Sequence, residues 1–198
     1  MKVWHTILVA AGIVVVAQGD AAAATLTVIN VGAPKINCVF SPTCSVLVND
    51  SVGSLTYTPL GAGTFLQSRT YSGLGPTPGA GHTAYEYRID LTQSANFTDC
   101  IAGVVINFGP VAKLPYGANN ALGHVFVVVQ GGLGTVGIKS AEQDGAVITF
   151  TFEKYLCPGQ TTYFFGLASL TAPVATIATM FAFGATPFIP ATARVPQH

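Results

Sequence analysis

Charged side chains are scarce in this sequence. Only 8% of its 198 residues are charged, and eight basic residues balance eight acidic ones. An ordinary globular domain carries about 25% charged residues. Nucleic-acid binding depends on Lys and Arg side chains that neutralise phosphates, so this composition argues against a nucleic-acid partner. A neutral surface with so little charge also gives little repulsion between copies, which favours self-association or packing into a surface layer.

Helical periodicity is missing as well. No stretch of the chain repeats apolar residues at the i, i+3, i+4 spacing between capping residues. Short runs rich in Val, Ile, Thr, Phe and Tyr instead alternate with turn signals, which is typical of strands. The predicted strands are TLTVINV, CSVLV, SLTYTPL, TAYEYRIDLT, IAGVVINFG, HVFVVVQ, TVGIKS, AVITFTFEKY, TTYFFGLASL and ATIATMFAFG. We therefore expect an all-β fold, a single antiparallel β-sandwich of jelly-roll or immunoglobulin-like type over residues 25–186, followed by an extended tail at 187–198.

The N-terminus has the pattern of a secretory signal peptide. Lys2 precedes an apolar core at residues 7–16, and small residues follow at 21–24. This order predicts a signal peptide over residues 1–24, with an N-terminal anchor helix as the alternative. The chain is thus expected outside the cytoplasm, either secreted or at the cell surface.

The sequence contains four cysteines, all of them after the predicted signal peptide. An even count in an exported chain indicates two disulfides, for which three connectivities are possible. We favour Cys38 with Cys44, across a loop that contains Pro42, and Cys100 with Cys157, which would join two distant strands. A zinc site is disfavoured because the cysteines form no C-x-x-C pair and do not cluster with histidines.

A glycine motif in the middle of the chain superficially suggests a nucleotide enzyme. Gly132, Gly134 and Gly137 spell G-x-G-x-x-G after a strand-like run, and Glu153 follows at about the right distance. A dinucleotide site also needs a helix between two parallel strands, and residues 135–143 leave too little room for one. We predict instead a glycine turn, a short strand and a hairpin with Asp144-Gly145 at its tip, and no cofactor.

The C-terminal third is long and apolar. No charged residue occurs between Lys154 and Arg194, and residues 161–183 have the length of a membrane span. Gly166 and Pro173 interrupt this segment, so we predict two buried strands, with a membrane-associated segment as the alternative.

One predicted strand, AYEYRID, alternates clearly between apolar and charged residues. Its alternation puts Tyr85, Tyr87 and Ile89 on one face and its charged residues on the other. We expect these charges, at positions 86, 88 and 90, to form a solvated or cross-strand ionic row. The two carboxylates of the row are about 13 Å apart along a strand, which is too far for a glycosidase pair.

Two tyrosines beside glycine-rich loops are the best candidates for contacts with a ligand. Tyr71 precedes the loop at residues 73–81, and Tyr116 precedes Gly117. Each is expected to be a core or half-buried strand tyrosine, and the alternative is an exposed contact with a glycan or a protein. No Trp follows the signal peptide, which weakens a carbohydrate-binding interpretation. The sequence contains no G-x-S-x-G elbow, and no catalytic or metal-binding residue is predicted.

Two stretches resemble a known family. TAYEYRIDLTQ, and later ITFTFEKYLCPGQTTYFFGLAS, resemble exported bacterial β-domains of exosortase-sorted, PEP-CTERM-type surface proteins. The resemblance covers residues 83–170 and implies an exported surface protein, and it supplies no catalytic residues to carry over. The tail FIPATARVPQH carries no V-P-E-P sorting motif.

These observations favour a non-enzymatic secreted or cell-surface protein of structural or adhesive type that self-associates or meets a cell-surface partner. Three alternatives remain. The chain could be a carbohydrate- or protein-binding module that uses Tyr71, Tyr116 and the 73–81 loop. It could be a pilin-like subunit in which TLTVINVGAPKINC serves as a donor strand. It could also be a secreted hydrolase.

Overall fold

Twelve β-strands make up about half of the residues that the structure describes. The computed structural model describes residues 23–57, 60–94, 99–182 and 188–198. Short 3-10 helices occur at Lys35–Val39 and Ala118–Asn120. The strands are β1 (Ala24–Leu26), β2 (Val28–Gly32), β3 (Asn49–Ser54), β4 (Phe65–Ser72), β5 (Thr83–Asp90), β6 (Ile101–Asn107), β7 (Val125–Gln130), β8 (Ile138–Asp144), β9 (Val147–Leu156), β10 (Phe165–Ser169), β11 (Pro173–Ala182) and β12 (Ile189–Pro196).

The strands form two six-stranded sheets, which confirms the predicted all-β sandwich. Sheet I has the order β1-β8-β9-β6-β11-β12, and sheet II has the order β2-β7-β10-β5-β4-β3. All the strand pairs are antiparallel except β2 with β7, so the prediction of a purely antiparallel fold was wrong at this one place. Only Thr27 separates β1 from β2. The chain therefore passes from one sheet to the other without reversing, and β2 comes to lie parallel to β7.

The main core lies between the sheets and follows the alternation of the strands. On β5, Tyr85, Tyr87 and Ile89 are fully buried in this core, as their shared face predicts. Across from them, β6 and β9 contribute the inward residues of sheet I, Val104 and Phe150 among them. Because successive residues of a strand face opposite sides, this packing turns Glu86, Arg88 and Asp90 to the outer face of sheet II.

A second apolar cluster covers part of that outer face. Residues 33–40, here called the covering segment, pack over sheet II. Phe40, the last of them, is fully buried against the sheet. The disulfide between Cys38 and Cys44 closes the end of this segment. The other disulfide joins Cys100, just before β6, to Cys157, just after β9. Both predicted pairings are confirmed.

Several strand predictions needed correction. Residues 44–48 and 55–57, predicted as strands, have no regular structure, and β3 occupies part of a segment predicted as a turn. No alternating pattern predicts β4, because FLQSRTYS has polar residues on both faces of the strand. Gln67 and Arg69 face outward, while Ser68 and Thr70 lie buried beside β12.

The predicted C-terminal tail is an integral strand. β12 pairs with β11 from Ile189 to Pro196 and buries alternate small and apolar side chains. It lies at the edge of sheet I, where a strand tolerates the prolines that suggested a tail. The predicted signal peptide falls almost entirely on residues 1–22, which lie outside the described residues.

The apolar segment at 161–183 forms two strands, as predicted, but only β10 is buried along its length, and Val174 and Ile177 of β11 are exposed. β10 and β11 belong to different sheets, and residues 170–172 connect them. Its last residue, Phe183, lies outside the described ranges. Within those ranges, no helix has the length and apolarity that crossing a membrane requires.

The glycine motif lies in a loop that leads directly into a strand, with no helix between them. Residues 131–137 connect β7 to β8, and β8 and β9 form the predicted hairpin with Gly145 and Ala146 at the turn. Gly134 has φ +116° and lies against residues 161–163. The backbone amide of Thr135 donates a hydrogen bond to the Thr161 carbonyl there, at 2.9 Å. These glycines thus serve close backbone packing.

We predict that Gly134→Ala lowers the free energy of unfolding by at least about 2 kcal/mol, because φ is positive there and a backbone stands in the way. A Cβ at this position would lie 2.2 Å from the carbonyl oxygen of Thr162. Gly32→Ala is the control, since its Cβ would meet nothing closer than 3.6 Å, and a change within about 1 kcal/mol is expected. Urea unfolding measures both. Equal stability of the two variants would contradict this packing.

Candidate functional site

Two neighbouring cavities open beside the covering segment on the outer face of sheet II. The first, the Glu86 cavity, has a volume of about 220 Å³ and is lined by Glu86, Tyr71 and Arg69 together with apolar side chains. The second, the Tyr116 cavity, has a volume of about 420 Å³. Ala33, Ile36 and Gly131 line both cavities and form the wall between them.

Strand register places Glu86 in the first cavity. Glu86 stands opposite Arg69 on β4 and opposite Gly166 on β10. Its side chain is only 6% exposed, and Oε1 accepts a 2.8 Å hydrogen bond from the Tyr71 hydroxyl. The cavity therefore has a carboxyl group in its wall that is held in one orientation by a buried tyrosine.

Burial changes the acid–base behaviour of this pair. Desolvation raises the pKa of Glu86, while the Tyr71 hydrogen bond and the charge of Arg69 act in the opposite direction. Desolvation also raises the pKa of Tyr71, and the neighbouring Glu86 raises it further. Tyr71 therefore stays a neutral hydrogen-bond donor, whereas Glu86 keeps its proton to a higher pH than an ordinary glutamate does.

Arg69 is fixed between an aromatic ring and a carboxylate. Its guanidinium carbon lies 4.1 Å from the centroid of the Phe164 ring, and its Nε donates to Oδ2 of Asp50 at 3.3 Å. Gln67 donates to the same oxygen at 2.7 Å. The guanidinium is thus presented at the cavity in a defined position, with its stacking face already occupied.

The charged row on β5 is real but is not solvated. Arg88 donates to Oε1 of Gln67 at 3.0 Å and pairs with Asp90 at 3.5 Å. Cross-strand contacts were expected, but Glu86 and Asp90 are each only 6% exposed. The prediction of a solvated row was wrong because the covering segment and the aromatic side chains of neighbouring strands pack over this face.

Tyr71 and Tyr116 are buried, as expected of core tyrosines, and the alternative that they are exposed is wrong. Their exposed fractions are 3% and 6%. Both pack against Phe40, with ring centroids 5.3 Å away for Tyr71 and 6.3 Å away for Tyr116. The sequence could not show how they are buried, because the Phe that buries both belongs to a segment without strand or helix periodicity. Each tyrosine nevertheless lines one of the two cavities, so both remain candidate ligand contacts.

The loop at residues 73–81, also predicted to contact a ligand, serves a different purpose. The backbone amide of Leu74 donates a hydrogen bond to the Phe40 carbonyl at 2.7 Å, and the backbone amide of Gly79 donates one to the Val39 carbonyl at 2.8 Å. None of the described residues that line the two cavities comes from this loop. The loop holds the covering segment in place instead.

The Tyr116 cavity has a different chemical character. Its polar lining consists of Asn30, Lys35, Gln130 and Tyr116, and burial raises the pKa of Tyr116. Sequence reasoning missed all of these except the tyrosine, because they are single polar residues on two strands and at the start of a 3-10 helix, without a motif.

No protein-family model, curated protein or solved structure matches the chain. In the part of the chain that the structure describes, no three His, Cys, Asp or Glu side chains gather as metal ligands. The function therefore has to be inferred from the two cavities themselves.

We predict that the carboxyl group of Glu86 titrates above its ordinary pKa of 4.5 and that Tyr71→Phe raises its pKa further by removing a hydrogen bond to the charged form. A raised folded-state pKa means that the native state binds more protons than the unfolded state, so stability falls as pH rises from about 4.5 through the folded pKa.

The side-chain ¹³C shift of Glu86 measures the titration, and urea unfolding measures the stability. Glu86→Gln should lack this fall in stability. Titration of Glu86 at or below 4.5, or an unchanged pKa in Tyr71→Phe, would contradict the assigned environment.

Proposed function

We propose that this chain is a non-enzymatic adhesive protein, secreted or displayed at the cell surface, that binds carbohydrate in the Glu86 cavity. The observation that carries the proposal is the buried carboxyl of Glu86, oriented by Tyr71 at 2.8 Å and facing a small cavity. The two disulfides are compatible with an extracellular or periplasmic protein.

The chemistry of the cavity suits one sugar ring. A carboxylate accepts hydrogen bonds from hydroxyl groups, and the nearby Arg69 donates them. Val128 and Leu133 supply apolar walls for the C–H face of a ring. The volume of about 220 Å³ is smaller than the roughly 300–1,000 Å³ of sites for drug-sized ligands, so a single ring is the largest group that fits.

The arrangement of carboxylates supports binding more than hydrolysis. Glycosidases need two carboxyl groups about 5–9.5 Å apart on either side of the bond that they cleave. Glu86 is the only acidic residue among the described residues that line this cavity. Asp50 stands two strands away, with Oδ2 already held by Gln67 and Arg69. A secreted hydrolase remains the alternative function, and analysis of the products released from a glycan would detect its activity.

We predict that Glu86→Gln weakens glycan binding at least tenfold, because the amide loses the charge that strengthens hydrogen bonds from ligand hydroxyls. A glycan array identifies ligands of the wild type, and calorimetry compares the variants. Glu142→Gln is the matched control, since Glu142 is an exposed residue of β8 in the other sheet and should leave binding unchanged.

Absence of any glycan ligand, or equal loss in both variants, would overturn the proposal. Release of new reducing ends by the wild type, abolished in Glu86→Gln, would establish the hydrolase instead.

Self-association is the second candidate. The chain carries no net charge, and on the outer face of sheet I Ile177 is 57% exposed. Light scattering over a concentration series measures self-association, and a protein that stays monomeric at every concentration would exclude this candidate. The pilin-like alternative also stays a prediction, although β1 and β2, which contain half of the supposed donor segment, already pair with β8 and β7 of the same chain.

A further inference from the structure

One buried hydroxyl differs from its counterparts. Tyr71, Tyr85 and Tyr87 are buried and donate to Glu86, to the Thr171 carbonyl and to the Arg194 carbonyl at 2.8, 2.7 and 2.6 Å. Tyr116 is buried too, but its hydroxyl has no hydrogen-bond partner among the described residues. A buried hydroxyl without a partner is destabilising. Its oxygen has almost no accessible surface, so a ligand in the cavity becomes its partner only after side chains of the cavity wall shift.

The cavity lined by Tyr116 offers donors. Lys35 contributes an ammonium group, Asn30 and Gln130 contribute amides, and no acidic residue is found in the described lining. Burial raises the pKa of Tyr116, so that its hydroxyl keeps the proton that it would donate. A group that carries negative charge and accepts several hydrogen bonds matches this lining, and a carboxylate is the smallest such group in biological polymers.

The two cavities adjoin each other. They share Ala33, Ile36 and Gly131, so a ligand that fills one meets the other across an apolar wall. A sugar chain can lay the C–H face of a ring on that wall. An extended acidic peptide would instead bring backbone amides that Ala33 and Ile36 side chains cannot satisfy.

We infer that the Tyr116 cavity is a second subsite for the same ligand and holds a carboxylate, so that the ligand is an acidic oligosaccharide containing uronic acid. This inference rests on the proposed function. A uronate carboxylate is placed against Lys35 and Tyr116, while hydroxyls of the neighbouring ring meet Glu86 and Tyr71.

The test uses the full chain and paired probes. Tetrasaccharides of galacturonate, glucuronate and mannuronate are each compared with their methyl esters, which keep the backbone and remove the charge. The wild type should bind at least one acid form tenfold or more tightly than its ester. Lys35→Gln should abolish that preference and leave binding of the ester unchanged. Lys139→Gln, an exposed lysine of β8, is the control and should preserve the preference.

Tyr116→Phe separates a ligand contact from a packing role. It should weaken binding of the acid form three- to tenfold while the melting temperature stays constant or rises, because it deletes an unpartnered hydroxyl. Tyr85→Phe is its control, since that hydroxyl already donates to Thr171 and its removal should lower the melting temperature without affecting binding.

Equal binding of acid and ester, or a preference that survives in Lys35→Gln, would overturn the inference and leave the proposed function standing if both forms still require Glu86. Tighter binding of a sulfated tetrasaccharide would show that the subsite prefers a sulfate to a carboxylate. This result would overturn the inference as well. Binding of an acidic peptide in place of every sugar, or no binding at all, would overturn both proposals.

Discussion

The packing of Phe40 onto the outer face of sheet II is the contact on which the site depends. Its ring is fully buried and lies 5.3 Å from Tyr71, 6.3 Å from Tyr116 and 6.4 Å from Phe126. Without that layer, Tyr71 would stand on an open sheet, as any outward strand residue does, and Tyr116, in the connection between β6 and β7, would lose a ring that packs against it. With it, the two tyrosines, 45 positions apart in sequence, are buried around one ring, and each lines its own cavity.

The same layer changes the chemistry of Glu86. An outward-facing glutamate on an ordinary sheet is solvated and ionised at neutral pH. Here burial raises its pKa, and Tyr71 and Arg69 offset part of the desolvation. A buried carboxyl that is only partly compensated favours additional donors, which the hydroxyl groups of a ligand can provide. The fold thus produces a polar site from a strand pattern that specifies only which residues face inward.

The predictability of each part follows the periodicity of its residues. β5 and β9 could be predicted because their apolar residues alternate strictly, and the helix of a nucleotide site could be excluded on length alone. β4 could not be predicted, since its inner face carries Ser68 and Thr70 against β12 and its outer face carries Gln67 and Arg69. The covering segment could not be predicted either, because APKINCVF packs on the sheet through one buried Phe and a disulfide. The site lies where β4 and the covering segment meet, so strand prediction alone could find only its Glu and its two tyrosines.

The distribution of charge bears on the choice between a binding protein and an inert structural one. The sequence has sixteen charged residues, and six of them lie on or beside the outer face of sheet II: Lys35, Asp50, Arg69, Glu86, Arg88 and Asp90. Charges that served solubility alone would be expected on exposed faces throughout the molecule. Two of these carboxylates are buried instead, and buried ionic groups can often be replaced by apolar residues without loss of stability. Glu86, Arg69 and Lys35 line the two cavities, which is the arrangement expected where charge recognises a ligand.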